Sequence, residues 1–277
     1  MKISIVTPSV RPDFLPIVGK CLIRQTLKDF EWLIGVPSDK RFGQSIKELK
    51  DIRIEFDLMN EPDKREGDFY GLNKCWNMLF SKAHGELIVS IVDGLWFPPT
   101  TLEHLWRHYE ANPTVSIGLL GNQYDQIING KPEHLVWRDP RENFSDQMFF
   151  ETEPLHFELC LASIPKKAIY EVEGIKEIYD TGAALSEKEM CIRIGRLGYK
   201  FFFDKSIEYR AIKHERLHGT EEWDKHYQIA QQLFSQHLKE IEKGQGTKGD
   251  LKLDNLTEKE YKKENGVSSE KESPAIS

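Results

Sequence analysis

Three features are scarce in this 277-residue sequence: cysteine, long apolar runs and excess positive charge. The four cysteines are far apart, and none has the paired spacing of a metal site or of a disulfide framework. They are Cys21, Cys75, Cys160 and Cys191. We therefore predict reduced cysteines in the core of a cytoplasmic protein.

The remaining absences exclude two broad classes of protein. No apolar run approaches the roughly 18 residues needed to cross a bilayer, and the N-terminal MKISIVTPSV is too short and too β-branched for a signal peptide. The 38 basic and 45 acidic side chains give a net charge of −7. This balance argues against a general nucleic-acid binder, which needs a basic surface to release counterions. Peripheral attachment to the inner face of a membrane stays open.

Short β-branched runs alternate with helical periodicity through the first hundred residues. Strands are predicted over residues 3–6, 32–36, 52–58 and 87–92, and helices over 14–26, 44–49 and 68–83. This alternation is typical of βαβ crossovers, so we expect an α/β domain with a mainly parallel central sheet flanked by helices. Ligands of such sheets bind at the carboxyl ends of the strands. Those ends fall at residues 7–11, 37–40 and 93–96.

The second half of the sequence is less regular. Strands are predicted over residues 115–120, 156–162 and 199–203, and helices over 186–197 and 221–241. A long polar segment, 129–153, is predicted to be a mobile loop that acts as a lid or contacts an acceptor. From Gly244 apolar residues become rare, so we place a globular domain at 1–243 and a disordered charged tail at 244–277.

The segment around Asp93 carries the clearest chemical signal. A buried strand over 87–92 delivers this carboxylate to its carboxyl end, where Gly94 and then two prolines interrupt the chain. A carboxylate in that position is suited to hold a divalent cation against a diphosphate. The alternative is a simple turn, because Asp-Gly is a common turn pair.

Five motifs, in order along the chain, resemble glycosyltransferase family 2, whose members have the GT-A type of fold. The resemblance covers residues 2–215. Its motifs are the opening strand with residues 7–12, the lead 27–32 into the second strand, the segment 71–99, the segment 172–180, and the helix start 186–193 followed by 197–200. The segment 71–99 includes Asn77, the Ala83-His84-Gly85-Glu86 hinge and Asp93.

The resemblance implies an inverting transferase. Its donor is a nucleoside-diphosphate sugar, UDP- or GDP-linked, and its acceptor is a hydroxyl of a glycan or a lipid-linked sugar. Glu187 falls on the general base, while Asp93 and His214 fall on ligands of Mn²⁺ or Mg²⁺. The residues expected around the nucleotide sugar are Thr7, Pro8, Arg11, Ser38, Asp39, Asn77 and Asp93. Trp96 is a candidate for the sugar or acceptor side, as is Glu189, which is also the reserve base.

Physical chemistry agrees with these roles. The acceptor hydroxyl must lose its proton as it attacks the anomeric carbon, and a carboxylate can take that proton. Glu187 opens a predicted helix, where the helix dipole favours an anion. The same position has a simpler explanation, because acidic residues in a first helical turn often only complement that dipole.

Three positions depart from the family pattern. Leu95 occupies the place of the second metal acid, which predicts a weakly held cation. Asp39 is displaced from the usual nucleotide-contacting acid, and Ser186-Glu187 replaces Glu-Asp. These departures keep open a non-catalytic nucleotide-sugar-binding protein of the same fold. A nucleotidyltransferase is a further alternative, although residues 7–12 lack the glycine-rich loop expected to hold a triphosphate.

Overall fold

The computed structural model describes residues 1–37, 43–69, 71–213 and 219–253. Its strands are β1 (Ile3–Pro8), β2 (Phe30–Val36), β3 (Asp57–Asn60), β4 (Leu87–Ile91), β5 (Leu95–Trp96), β6 (Val115–Ile128), β7 (Lys131–Trp137), β8 (Phe149–Thr152), β9 (Leu161–Pro165) and β10 (Lys200–Ile212). Its helices are α1 (Leu15–Leu22), α2 (Gly43–Asp51), α3 (Leu72–Lys82), α4 (Thr101–Ala111), α5 (Lys166–Glu171), α6 (Ser186–Arg196) and α7 (Glu221–Glu242).

The strands form one sheet, whose main path runs β3-β2-β1-β4-β9-β6-β10-β5. Strand β1 pairs in parallel with β2 and β4, β2 with β3, and β6 with β10. Strand β9 runs antiparallel between β4 and β6. The predicted α/β class is confirmed. The carboxyl ends of β1, β2 and β4 meet at one edge, the position where open α/β sheets bind ligands.

Helices cover both faces of the sheet because the strands are apolar on both sides. One core packs apolar side chains of α1, α2 and α4 against the sheet. The other packs α3, α5 and α6 against its opposite face. Within β1 the side chains alternate, so that Ile3 and Ile5 join the first core and Val6 joins the second. Burial of both faces explains why the strands read as continuous apolar runs.

The hinge before β4 is held by polar contacts to the first two strands. The backbone N–H of Gly85 donates to Ser4 Oγ over 2.7 Å, and the N–H of His84 donates to Glu31 Oε1 over 2.7 Å. A side chain at Gly85 would place its Cβ 2.3 Å from the backbone nitrogen of Ser4. Glycine is therefore required here for a close approach of two backbone segments.

The predicted mobile loop over residues 129–153 is largely regular structure, so that prediction was wrong. Strands β6 and β7 form a hairpin in which Ile128 is opposite Lys131, and β8 pairs with β10. Asn129 and Gly130 connect β6 to β7 with φ values of 53° and 75°. An Asn-Gly pair with positive φ at both residues is the preferred two-residue hairpin turn. That dipeptide is the signal that sequence reasoning passed over.

Other boundaries differ in detail from those expected. Strand β3 begins at Asp57, later than predicted, and α5 was not predicted. The chain beyond α7 returns to the domain: the backbone N–H of Leu251 donates to Glu173 O over 2.8 Å, and its side chain is buried. The expected tail begins at Gly244, whereas these contacts attach the chain as far as Leu251. Among the described residues, no helix is long and apolar enough to cross a membrane.

Candidate active site

Asp93 holds the loop that follows β1. One carboxylate oxygen, Oδ2, accepts hydrogen bonds from Ser9 Oγ at 2.9 Å and from the backbone N–H groups of Val10 and Arg11, both at 3.0 Å. The other oxygen, Oδ1, forms an ion pair with Arg11 Nε at 2.7 Å. Asp93 is only 4% exposed. Its charge is thus compensated by three hydrogen bonds and one guanidinium, as a buried carboxylate requires.

The donor set at this position does not fit a divalent cation. Both oxygens of Asp93 are engaged by the loop after β1, and Leu95, at the position of a second acid, is apolar and buried. Mg²⁺ and Mn²⁺ need several oxygen ligands that face the ion. His214, the other predicted ligand, lies outside the described residues. We therefore assign no step of a reaction to a cation at Asp93.

The remaining residues predicted around the nucleotide divide into three groups. Thr7 and Pro8 are buried in β1, where Thr7 Oγ1 accepts a hydrogen bond from Trp32 Nε1 at 2.9 Å. Arg11 is accessible, with 32% of its side chain exposed. Ser38 and Asp39 lie outside the described residues. Among the described residues of this set, Arg11 is positively charged, and its partly exposed side chain can contact a negatively charged ligand.

Glu187 lies in the first turn of α6, in a crowded group of charges. Its Oε2 accepts from the backbone N–H of Leu159 at 3.3 Å. The neighbouring Glu158 forms ion pairs with Arg141 at 2.9 Å and with Lys188 at 3.6 Å. Loss of hydration and then the nearby Glu158 carboxylate raise the pKa of Glu187 to about 7. A carboxyl with that pKa can exchange a proton near neutral pH.

The backbone before Glu187 is strained. Ala184 and Leu185 have φ values of 65° and 68°, in the left-handed region. Each such residue costs on the order of 1 kcal/mol and persists only where the surroundings fix it. Two in succession turn the chain sharply into α6. Strain of this kind is concentrated at functional sites.

Two hydrogen bonds from backbone N–H groups, one to a backbone carbonyl and one to the Glu187 side chain, link the surroundings of Asp93 to those of Glu187. The N–H of Val92, next to Asp93, donates to Cys160 O over 3.0 Å. The adjacent Leu159 donates its N–H to Glu187. Both carboxylates therefore lie by the carboxyl end of β4, at the edge where open α/β sheets bind ligands.

Three other predicted residues have different environments. Glu189 is completely buried and pairs with Arg193 at 2.8 Å, so it has no access to an acceptor. Buried Asn77 exchanges two 2.9 Å hydrogen bonds with the backbone of Ile175 and thereby fixes the segment after α5. Trp96 is partly exposed, with the cations of Lys131 and Arg210 at 4.9 and 5.8 Å from its ring centre.

Sequence reasoning missed two sets of ionisable residues. Arg141 and Glu158, which belong to the segment between β7 and β9, lie near Glu187, and no local pattern indicates that contact. A second set, His104, His108 and Asp204, groups donors that could hold a metal ion. The His-x₃-His spacing on a helix was a readable signal, because residues four apart share one face.

Grooves also occur away from these carboxylates. One of about 590 Å³ lies between β8 and α6, and one of about 690 Å³ lies between the ends of α6 and α7. Neither is lined by Asp93 or Glu187. Both grooves are therefore separate from the candidate site at the edge of the sheet.

The chain matches no protein-family model and no curated protein in sequence. Its fold resembles several solved structures. Residues 1–349 of S. aureus TarS in complex with UDP align with a TM-score of 0.55 and 13% identity, over 86% of this chain and 72% of TarS 1–349. GalNAc-T7 with UDP, GalNAc and Mn²⁺ aligns at 0.59 and 13%, over 86% of this chain and 50% of that one.

The mannosyltransferase PcManGT from Pyrobaculum calidifontis, in complex with GDP-Man and Mn²⁺, is also similar. It aligns with a TM-score of 0.57 and 14% identity, over 86% of this chain and 61% of its own. The chain thus spans half of GalNAc-T7 and about three fifths of PcManGT. At these identities the likeness establishes a shared fold, and assignment to family 2 stays a prediction.

Proposed function

We propose that this chain, which has the GT-A fold, is a glycosyltransferase that moves a hexose from a UDP- or GDP-linked donor to an acceptor hydroxyl with inversion. The three structures of the same fold were solved with UDP or GDP-Man. The observation that carries the proposal is the position of Glu187. Its hydrogen-bond partner Leu159 precedes Cys160, whose carbonyl accepts a hydrogen bond from the N–H of Val92, the residue before Asp93. A carboxyl with a pKa near neutrality thus lies beside the edge where the fold binds ligands.

In the proposed reaction, the acceptor oxygen attacks the anomeric carbon of the donor as Glu187 accepts the hydroxyl proton. The bond between the anomeric carbon and the diphosphate oxygen breaks, and its electron pair leaves with the nucleoside diphosphate. Attack opposite the leaving group inverts the anomeric configuration. Because burial and Glu158 raise the pKa of Glu187 to about 7, its carboxylate is basic enough to take the proton at neutral pH.

Arg11 is the group that we propose meets the departing diphosphate. Its side chain is a third exposed, and its Nε is fixed by Asp93 at 2.7 Å. A guanidinium held in place stabilises developing phosphate charge without reorganising during the reaction. Asp93 then has a positioning role, because it orders both the loop backbone and Arg11.

A non-catalytic nucleotide-sugar-binding protein is the second candidate. It is favoured by the engagement of Asp93 with its own loop and by the apolar Leu95 in the place of a second acid. Such a protein retains donor binding and lacks turnover. A nucleotidyltransferase, by contrast, releases pyrophosphate from a nucleoside triphosphate.

The test is release of nucleoside diphosphate from UDP- and GDP-sugars with a panel of glycan and lipid-linked acceptors. We expect Glu187→Gln to lower kcat by about 10²–10⁴-fold while calorimetry shows unchanged nucleotide affinity. The matched control is Glu222→Gln, an exposed glutamate in the first turn of α7. Full turnover in Glu187→Gln would reject this base. Binding without turnover in the unmodified protein favours the second candidate. Pyrophosphate release in a parallel assay, which supplies a nucleoside triphosphate and a sugar 1-phosphate, favours the third.

A further inference from the structure

Two histidines and one aspartate converge between α4 and β10. His104 Nε2 lies 2.6 Å and His108 Nε2 lies 3.0 Å from the same oxygen, Oδ2 of Asp204. The two Nε2 atoms are 3.1 Å apart. We call these three residues the histidine–aspartate cluster. None of them has a part in the transfer reaction proposed above.

Local structure explains why the three side chains meet. His104 and His108 are four residues apart on α4, so both imidazoles leave the same face of the helix. Asp204 lies where the pairing of β10 with β6 changes register, between Asp204 and Tyr209. Its second oxygen, Oδ1, accepts from the N–H of Ser206 at 2.8 Å. That bond fixes the carboxylate so that Oδ2 points at the imidazoles.

Aromatic rings pack against one side of the cluster. The ring of His108 stacks on Phe149 at 4.8 Å, and Phe149 stacks on Phe202 at 4.7 Å. The carboxylate is nearly buried, with 3% of its side chain exposed, whereas the two imidazoles are 30% and 27% exposed. Stacking and hydrogen bonds that orient ligand side chains are a regular feature of metal sites. The exposed sides of the imidazoles leave a path from solvent.

We propose that the histidine–aspartate cluster binds a divalent transition metal of the Zn²⁺ class, apart from the transfer site. Tetrahedral ligands about 2.0 Å from Zn²⁺ lie about 3.3 Å from one another. The three donor atoms are 2.6, 3.0 and 3.1 Å apart. They need to separate by about 0.2–0.7 Å to accept the ion, with the largest movement between His104 Nε2 and Asp204 Oδ2. Two imidazoles and one carboxylate suit Zn²⁺ better than Mg²⁺ or Ca²⁺, which prefer oxygen ligands alone.

The bound ion has three protein ligands, and a water molecule completes its tetrahedron. It joins α4 to β10, two elements far apart in the sequence, and so stabilises the folded chain. Binding requires neutral imidazoles and an ionised carboxylate, so any proton on a ligand nitrogen is released to solvent. No bond in a substrate is made or broken at this site.

The experiment titrates the full chain, stripped with EDTA, with Co²⁺ alone and then with Zn²⁺. We expect the visible spectrum of four-coordinate Co²⁺, its loss as Zn²⁺ displaces Co²⁺, and a higher melting temperature with either ion. His104→Gln and His108→Gln should each weaken binding by about tenfold or more. The matched control is His134→Gln, because His134 lies 2.7 Å from Asp125 on the exposed β6–β7 hairpin.

A second measurement keeps the test independent of how well the variants fold. Diethyl pyrocarbonate modifies accessible imidazoles, and mass spectrometry locates the modified residues. In the unmodified protein, Zn²⁺ should protect His104 and His108 and leave His134 reactive. Absence of Co²⁺ binding, unchanged binding in a folded His104→Gln/His108→Gln variant, or no protection of these two histidines would each overturn the proposal.

Discussion

The proton affinity of Glu187 depends on its burial and on nearby charges, two of which, Glu158 and Arg141, are distant in sequence. Burial raises the pKa of Glu187 most, and the nearby carboxylate of Glu158 raises it further, while the positive charges of Lys188 and Arg141 lower it. This balance maintains a carboxylate that is basic and still ionisable at neutral pH. It resembles the way in which paired acidic groups in enzyme active sites separate their proton affinities.

Removal of the Glu158 charge should shift the pH dependence of transfer. The proposed base works deprotonated, so activity rises as pH increases through the pKa of Glu187. Glu158→Gln removes a like charge and frees Arg141 to face Glu187, and both effects lower that pKa. We expect the rise in kcat to move down by about one pH unit. Glu151→Gln, which removes an exposed partner of Lys200, is the control. An unchanged or upward shift would contradict this role of Glu158.

The sequence predicted the positions of Asp93 and Glu187 and could not predict their partners. Asp93 was recognisable because a strongly apolar strand ends beside it. Its partners Ser9, Val10 and Arg11 precede it by more than 80 residues. The sequence placed residues 7–11 and 93–96 at strand ends of one parallel sheet, but the individual contacts depend on the register of β1 against β4, which no local pattern specifies. The same limit concealed Arg141 and Glu158.

Among the elements, the hinge before β4 shows how one close approach fixes a strand. The N–H of Gly85 bonds to Ser4, and the backbone of β1 occupies the space that a side chain would need. The register of β1 against β4 follows from this contact. Since Asp93 is at the far end of β4, the hinge also determines where that carboxylate lies.

A methyl group at the hinge should destabilise the fold. In Gly85→Ala, the added Cβ meets the backbone of Ile3 and Ser4, which cannot move without shifting β1. We expect a loss of about 1–3 kcal/mol in the free energy of unfolding, measured by urea denaturation. Gly43→Ala is the control, because no atom lies within 4 Å of a Cβ there. Equal stability of the two variants would show that the backbone around Gly85 can shift to accommodate a Cβ without loss of stability.

The elements that sequence reasoning located well are those with their own periodicity. Helix α6 begins at Ser186 as expected, and α7 spans Glu221–Glu242, one residue beyond the expected end. Apart from the short helix α5 and the overlooked Asn129-Gly130 turn, the errors fall where pairing across the chain decides the structure. Strand β8 forms only by pairing with β10, and its short sequence gives no alternation to read. Local patterns thus predicted helices and buried strands better than edge strands.

For the whole molecule, the domain includes part of the segment expected to be a tail. Three backbone N–H groups, of Gly249, Asp250 and Leu251, donate to carbonyls of residues 172–175. The side chain of Leu251 completes the core beneath α3, α5 and α6. The folded unit therefore extends past α7.

Two truncations should distinguish this segment from the residues beyond it. A chain ending at residue 253 keeps these three hydrogen bonds and Leu251. A chain ending at residue 247 loses them, which should lower the free energy of unfolding by about 1.5–3 kcal/mol relative to the longer truncation. Calorimetric melting of both chains measures the difference. Identical melting temperatures would mean that residues 249–251 do not contribute to the stability of the domain.

The loop after β1 is already ordered by Asp93 through three hydrogen bonds and an ion pair. A ligand that binds there, as proposed above, would meet a loop whose backbone is already held, so little conformational entropy would be lost on association. Its on-rate should then be limited by diffusion and orientation, without a slow rearrangement step. Selectivity at this edge would come from shape and charge that exist before the ligand arrives.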